Sequence, residues 1–302
     1  MSENMAMFRR MKEPICHKGL LFPAYMHRGS LEQLETWQMR PDDILVDGWT
    51  RSGNHLCKYI LWYVMNNGAP LEDDIFDLIP YVDVSKEVKD GADPFDDQVT
   101  NPLIEIDNMD KSKPRMVCSH IPYRLMPYDV KQGKVKVILQ LRNIKDATNS
   151  NYFLWKDSGM FIDSSYTLDE WIHEQLKGEV PYGSWIEHTK EWWSHRDEIP
   201  LLIMQYEDML DDLEGAVRKI AKFVDVTLTP DIVSDIAKRV TFSTMKKKPD
   251  LFDSVKHLFS TPYLRKGVYG DWKNNFTVAQ SDKIDKALQE RMKDVDIKFK
   301  YE

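Results

Sequence analysis

The 302 residues carry 41 Lys and Arg against 49 Asp and Glu, a formal charge of −8, with 42% apolar residues and 9 Trp. That is enough apolar material for one full core, and the acidic balance excludes the broad basic face that a nucleic acid or an anionic membrane demands. The three cysteines, Cys16, Cys57 and Cys118, form no Cys-x-x-Cys pair and no His-Glu-x-x-His run is present, so neither a disulfide framework nor a zinc site is indicated.

Met1 to Glu13 is charged throughout and lacks the apolar stretch of a secretory leader. No apolar run approaches the roughly 18 residues of a membrane span. The expected compartment is therefore the cytoplasm. After this polar start, Leu31 to Gln38 has the spacing of a short amphipathic helix. Ile44 to Asp47 reads as a buried strand, and a helix follows over Asn54 to Asn66.

Between that strand and helix runs Gly48-Trp-Thr-Arg51-Ser-Gly53. A tight Gly/Ser loop entering a helix points several backbone N–H groups, and the positive end of the helix, at one spot, which suits a phosphate or sulfate. The Gly48 to Gly53 spacing fits the first half of a nucleoside-triphosphatase P-loop, but the following Lys-Ser/Thr pair is replaced by Asn54-His55. The hydroxyl that holds magnesium in such sites is missing, so the loop predicts an anion cradle or a structural turn, not a P-loop NTPase.

Ala69 to Pro114, rich in Pro, Gly and Asp, reads as loops and short helices over a site. Three further strands are expected at Arg115 to His120, Val135 to Leu141 and Pro200 to Tyr206, each followed by a helical pattern. Strands alternating with helices predict a single α/β domain over residues 1–302, with a central parallel sheet flanked by helices and a P-loop-like strand–loop–helix. Ligands of such sheets lie at the carboxyl ends of the strands. Those ends hold Thr50 to Asn54, His120, Arg142 and Tyr206.

Arg142, with Ser150 two turns on, suits a second phosphate or an ion pair with Asp146. His120 is a base or a structural imidazole. The loop Arg265-Lys266-Gly267 again suits an anion, whereas Lys246 to Lys248 reads as a solvated edge. Cys118 reads as a core thiol, and His55 as a neutral hydrogen-bonding group or a second titrating one.

These runs together resemble the cytosolic sulfotransferases that use 3'-phosphoadenosine 5'-phosphosulfate (PAPS). The resemblance is carried by Arg51-Ser-Gly53, Ser119-His120-Ile-Pro122, Arg142-Asn-Ile-Lys-Asp146 with Ser150, Pro181-Tyr-Gly-Ser-Trp185 with Glu191-Trp-Trp193, and Tyr206-Glu-Asp208. It closes with Arg265-Lys-Gly267, Gly270-Asp-Trp-Lys-Asn274 and Phe276-Thr-Val278. It implies that Thr50, Arg51, Ser52, Gly53 and Asn54 hold the 5'-phosphosulfate, with His55 also among the nucleotide-binding residues. It likewise implies that Arg142, Ser150, Arg265, Lys266 and Gly267 hold the 3'-phosphate, with Leu56, Tyr206, Thr241 and Phe242 about the adenine.

The resemblance makes His120 the catalytic base, with Arg51 and Ser150 completing the catalytic set. It also implies a small, hydrophobic phenol, alcohol or amine acceptor against Phe22, Tyr25, Tyr81, Phe153 and Leu154. In that reading residues 1–39 contribute to the acceptor pocket, residues 240–275 cover the nucleotide, and no metal is used. The chain would be a monomer or a homodimer joined through residues 273–282. The family's usual Lys-Ser-Gly-Thr-Thr-Trp is Arg51-Ser-Gly-Asn54-His55-Leu56 here, and a lysine common two residues before the histidine is Cys118. Two other readings stay open on these departures: a nucleotide-binding protein with little transfer, and an enzyme that uses transient sulfation to eliminate water.

Overall fold

The computed structural model describes residues 14–89, 99–157, 165–247 and 264–302. A two-stranded antiparallel hairpin comes first, β1 (Ile15–His17) and β2 (Leu20–Phe22). Lys18 (φ 47°) and Gly19 (φ 80°) make its turn, and two positive φ angles in succession give the twist that a tight hairpin needs. Three-residue strands are too short to show an alternation, so the sequence pattern gives no sign of this hairpin.

The strands β3 (Ile44–Asp47), β4 (Met116–Ser119), β5 (Lys136–Leu141) and β6 (Leu201–Gln205) form one parallel sheet in the order β4-β3-β5-β6, with β3 to β5 buried and the edge strand β6 half-buried. Asp47 stands level with Ser119 on one side and Leu139 on the other. The chain passes from β4 over β3 to β5, so the strand order reverses between β3 and β5 and opens a crevice at their carboxyl ends. The loop after β3 and Arg142 after β5 both project into that crevice.

The helix Asn54–Met65 follows the loop and packs on Leu213–Phe223 and Pro230–Arg239. The helices Ile144–Asp157, Leu168–Lys177 and Val278–Arg291 pack on one another. Thr167 and Glu170 form a capping box that starts Leu168–Lys177, and Gly178 ends it at φ 81°. The helix expected over Leu31 to Gln38 lies earlier, as Arg28–Gln33 with a 3-10 turn at Leu34–Thr36. His27 sets this start, because its Nδ1 accepts from Ser30 N at 3.1 Å, a capping role its residue type does not advertise.

Ala69 to Pro114 contains the short helices Ile75–Leu78, Lys86–Lys89 and Pro102–Asp107, and residues 90–98 lie outside the described residues. Backbone bonds from Cys118 N to Pro80 O and from Val82 N to Cys118 O attach this region to the open edge of β4 and bring Tyr81 to the sheet's end.

The amino ends of β3 and β4 are locked by Arg115, 2% exposed, which bonds both carboxylate oxygens of Asp43 at 2.9 and 2.5 Å and Asp107 at 2.6 Å. Trp37 covers its guanidinium at 5.0 Å. Arg115→Ala leaves Asp43 as a buried, unpaired charge, so it is expected to cost about 3–5 kcal/mol. Urea unfolding should show a lower midpoint with an unchanged slope.

Candidate active site

Gly48, just past β3, passes so close to β5 that a Cβ would lie 2.5 Å from Gln140 O. The chain can turn here because nothing but glycine fits. Ser52 N bonds Trp49 O at 3.1 Å, Arg51 takes a left-handed φ of 66°, and Gly53 starts the helix at φ 108° with Tyr206 against its Cα. A non-glycine residue at such a φ is strained, and it persists where surrounding structure enforces it. Here the loop carries the Arg51 side chain across to the helix Ile144–Asp157, where its Nε donates to Ser150 Oγ at 3.1 Å.

Arg142 leaves the end of β5 nearly buried. Its two terminal nitrogens donate to Arg51 O and Val268 O, both at 3.1 Å, and its guanidinium lies 4.5 Å from the Tyr206 ring centroid. Burial first, and the neighbouring Arg51 charge, lower its pKa, while Tyr206, Asp146 and Glu207 oppose them. Arginine stays charged under such pressure.

The third cationic group comes from the far end of the chain. Arg265 and Lys266 bond the two oxygens of Asp271 at 2.8 and 2.5 Å. Asp146 accepts from Gly270 N at 2.6 Å and Trp272 N at 3.1 Å, which pins this loop to the helix after β5. Gly267 at φ 67° rests on Phe242, so that a Cβ would lie 2.0 Å from the ring. Thr241 caps the helix Phe242–Lys246 through Thr244 N.

These elements enclose a cleft of about 640 Å³ that opens to solvent, lined by Arg51, Gly53 to Leu56, His120, Arg142, Tyr206 and Phe242. It continues toward Ser150, Arg265, Lys266 and Gly267. Leu210, Val240, Met245 and Leu264 complete the apolar wall. The sequence reading missed these four, although Val240 and Met245 flank Thr241 and Phe242. Thr50 Oγ1, Ser52 Oγ and the Nε atoms of Arg142 and Arg265 are buried without a hydrogen-bond partner. Such donors suit an oxyanion at either end of the cleft. The residues present therefore fit a nucleotide with two anionic ends.

His120 stands at the end of β4. Its Nδ1 is 2.7 Å from Gly48 O and 3.2 Å from Asn54 Nδ2. A carbonyl only accepts, so Nδ1 carries the proton and donates to Gly48, leaving the lone pair on Nε2. The Asn54 amide satisfies Gly48 O and Ser119 O at 3.2 Å each. Burial depresses the His120 pKa to about 3; the Gly48 carbonyl opposes this, and the charges of His188, Lys58 and Arg51 add to it. His55 is driven well below its ordinary value, by burial first and then by Lys58, Arg51 and His120, so it is a neutral ring.

The His120 ring is 5.2 Å from Tyr81 and 5.3 Å from Tyr182. Tyr182 is held by Leu21 O on β2 and meets Phe22 edge-on at 5.6 Å. Tyr25 stacks on Trp155 at 6.4 Å. Phe22 and Tyr81 thus gather with Tyr182 on the His120 side. Phe153 does not join them: its ring lies 5.0 Å from the Arg265 guanidinium, at the other end of the cleft. Leu154 is half-buried on the same helix. Cys118 is buried, and burial pushes its thiol up to about 11. No group of three metal-ligating side chains occurs among the described residues.

An anion cradle at the switch point of a parallel sheet, with a neutral imidazole beside it, defines a nucleotide-dependent group-transfer enzyme. The sulfotransferase domain family matches residues 41–296, and the chain belongs to that family. Sulfotransferase 1E1 of Bos taurus is 33% identical over 286 residues, covering 91% of this chain and 92% of the relative. An amine sulfotransferase of Oryctolagus cuniculus is 30% identical, with 89% and 87% covered. Among solved structures, mouse sulfotransferase SULT7A1 complexed with PAP superposes with a TM-score of 0.76 at 26% identity, covering 94% and 96%. Retinol dehydratase, in complex with androsterone and PAP, superposes at 0.83 with 18% identity over 99% and 95%, a likeness of fold.

Gly267→Ala drives a methyl group into Phe242 at a backbone angle that disfavours it. Calorimetric titration with PAP should show affinity weakened by about ten-fold or more, with the melting temperature within a few degrees of wild type.

Proposed function

We propose that this enzyme transfers a sulfuryl group from PAPS to a hydroxyl or amine of a small, hydrophobic acceptor, with His120 as the general base. The observation that carries the reading is the His120 tautomer: a half-buried, neutral imidazole with its lone pair on Nε2, bonded through Nδ1 to the carbonyl of the anion loop's first glycine. The bound nucleotide supplies the sulfuryl group and leaves as PAP.

Thr50, Ser52 and the loop N–H groups as far as Leu56 hold the 5' end, and Arg51 stabilises the charge that collects on the leaving phosphate. Arg142, Ser150, Arg265, Lys266 and Gly267 hold the 3'-phosphate. Leu56, Tyr206, Thr241 and Phe242 form the adenine's surroundings. The acceptor rests against Phe22, Tyr25, Tyr81 and Tyr182, and His120 Nε2 takes its proton as it attacks. Arg51 remains a cation throughout and serves by charge, not as an acid. Ser150 orients it.

The relatives named for sulfotransfer and the PAP-bound neighbour support the donor, and the amine sulfotransferase shows that a nitrogen acceptor falls within the range of its relatives. The likeness to retinol dehydratase bears on the fold alone. No helix among the described residues is long and apolar enough to cross a membrane, and Cys16, Cys57 and Cys118 are free thiols, which supports a reducing, cytoplasmic setting. A small homodimer contact through residues 273–282 is supported by Val278, 78% exposed at the start of its helix.

Incubation with sulfur-35-labelled PAPS and pooled phenols, alcohols and amines should give a labelled product. His120→Ala should lower the rate by about 10²–10⁴-fold while PAP affinity stays within a few fold. A dehydrated, unlabelled product would instead establish elimination. The base acts in its neutral form and its pKa lies at about 3, so protonation sets in only well below neutral. The rate should therefore show no acid limb near the ordinary histidine value between pH 5 and 8. A half-maximal rate near pH 6.5 would remove His120 from the role.

A further inference from the structure

Lys58 lies on the helix Asn54–Met65 with no exposed surface. Around it the helix buries Leu56, Cys57, Ile60 and Leu61. An ammonium in such surroundings is costly unless its charge is compensated. Its Nζ lies 4.4 Å from the Phe76 ring centroid and 4.6 Å from that of Tyr81, so two aromatic rings share in that compensation.

Each of these rings also touches an imidazole of the cleft. His55 is 4.7 Å from Phe76, and His120 is 5.2 Å from Tyr81. Phe76 and Tyr81 are 6.0 Å apart. Lys58 thus stands behind the wall that joins both imidazoles. The Lys58 charge is one of the causes that depress His120, His55 and Cys118. Cys118 itself, bonded through its backbone to Pro80 and Val82, offers only a neutral thiol at the end of β4.

We propose that Lys58 is an electrostatic positioning residue for sulfuryl transfer: its ammonium, fixed behind Phe76 and Tyr81, holds positive potential on the acceptor side of the cleft. The proposal rests on the sulfotransfer reading above. In that step the acceptor's oxygen or nitrogen bonds to sulfur, and its proton goes to His120 Nε2. The bridging sulfur–oxygen bond breaks, and its electron pair stays on the nucleotide phosphate beside Arg51. The sulfuryl oxygens remain negative throughout. A cation on the leaving side alone leaves the acceptor side uncompensated, and a preorganised charge there stabilises the transfer without reorganising.

The same charge helps keep His120 unprotonated, together with His188 and Arg51 and against the Gly48 carbonyl. Of the groups facing His120, Asn54, Tyr81 and Tyr182 are neutral. Two buried carboxyls stand behind them, Asp47 paired with His188 at 3.1 Å and Asp83 acting on Tyr182, and burial pushes both upward, Asp83 to about 7.

Three variants test this: Lys58→Met, which keeps the volume and removes the charge, Lys58→Arg, which keeps a cation, and Lys58→Met combined with Cys118→Lys, which relocates it. Lys58→Met is expected to lower kcat by about ten-fold or more, with PAP affinity and the melting temperature held. The other two should recover most of the rate. By imidazole NMR, the His120 titration should move upward in Lys58→Met and return in Lys58→Arg.

Wild-type kcat in Lys58→Met, or a loss that follows a lowered melting temperature and is not recovered by either cationic variant, overturns the proposal. Lys58→Gln carries the same expectation if the methionine variant does not fold. If the wild-type chain transfers no sulfuryl group, the broader reading fails on its own. The His120 titration then decides for Lys58: an upward shift supports the charge placement and an unmoved one refutes it.

Discussion

Four cations, Arg51, Arg142, Arg265 and Lys266, face one cleft, and their mutual repulsion is the constraint around which the structure is arranged. Like charges at close range in a partly buried site cost several kcal/mol unless each is separately compensated. Arg51 leans on Ser150, Arg142 spends its donors on two backbone carbonyls and its face on Tyr206, and Arg265 with Lys266 shares Asp271. Each compensating group comes from a different stretch of chain. The parallel sheet is what brings those stretches to one edge, since its switch point lies between the strands that deliver the first two arginines.

The same economy governs His120. One carbonyl, Gly48 O, turns the chain, accepts from Asn54 and fixes the proton of His120 on Nδ1. Donor-side geometry and proton placement are therefore coupled through a single peptide unit. The other side of His120 is built from rings: Tyr81 and Tyr182 lie against the imidazole, and Phe22 of β2 lies against Tyr182. That side is tied to the loop after β3 as well, since Trp49 Nε1 donates to Gly183 O at 3.0 Å.

The residues that were plain in the sequence are those whose chemistry and spacing coincide: the apolar β3 and β5, the glycines of the loop, and the cations at the strand ends. What stayed hidden depends on contacts between distant segments. β1 and β2 are too short to alternate, and their docking on Pro181 and Tyr182 helps to hold them in the core. Phe153 sits in a helix next to acceptor-like aromatics, yet its ring lies against the Arg265 guanidinium, from a distant stretch of chain. Lys58 looks like a surface lysine within a helix, since no pattern of neighbours announces that Phe76 and Tyr81 fold over it.

Asp271 has a consequence for selectivity. Burial raises its carboxyl, but Lys266, Asn274 and Arg265 together outweigh that and hold it below its ordinary value, so it is ionised. An incoming anion meets two cations that already share one carboxylate, and it bonds the donors that carboxylate leaves open, Arg265 Nε among them. The loop's net charge is then one positive unit in place of two, so chloride or free sulfate, carrying little else to bind with, gains little from charge alone. An anion that also reaches other groups of the cleft is favoured over them.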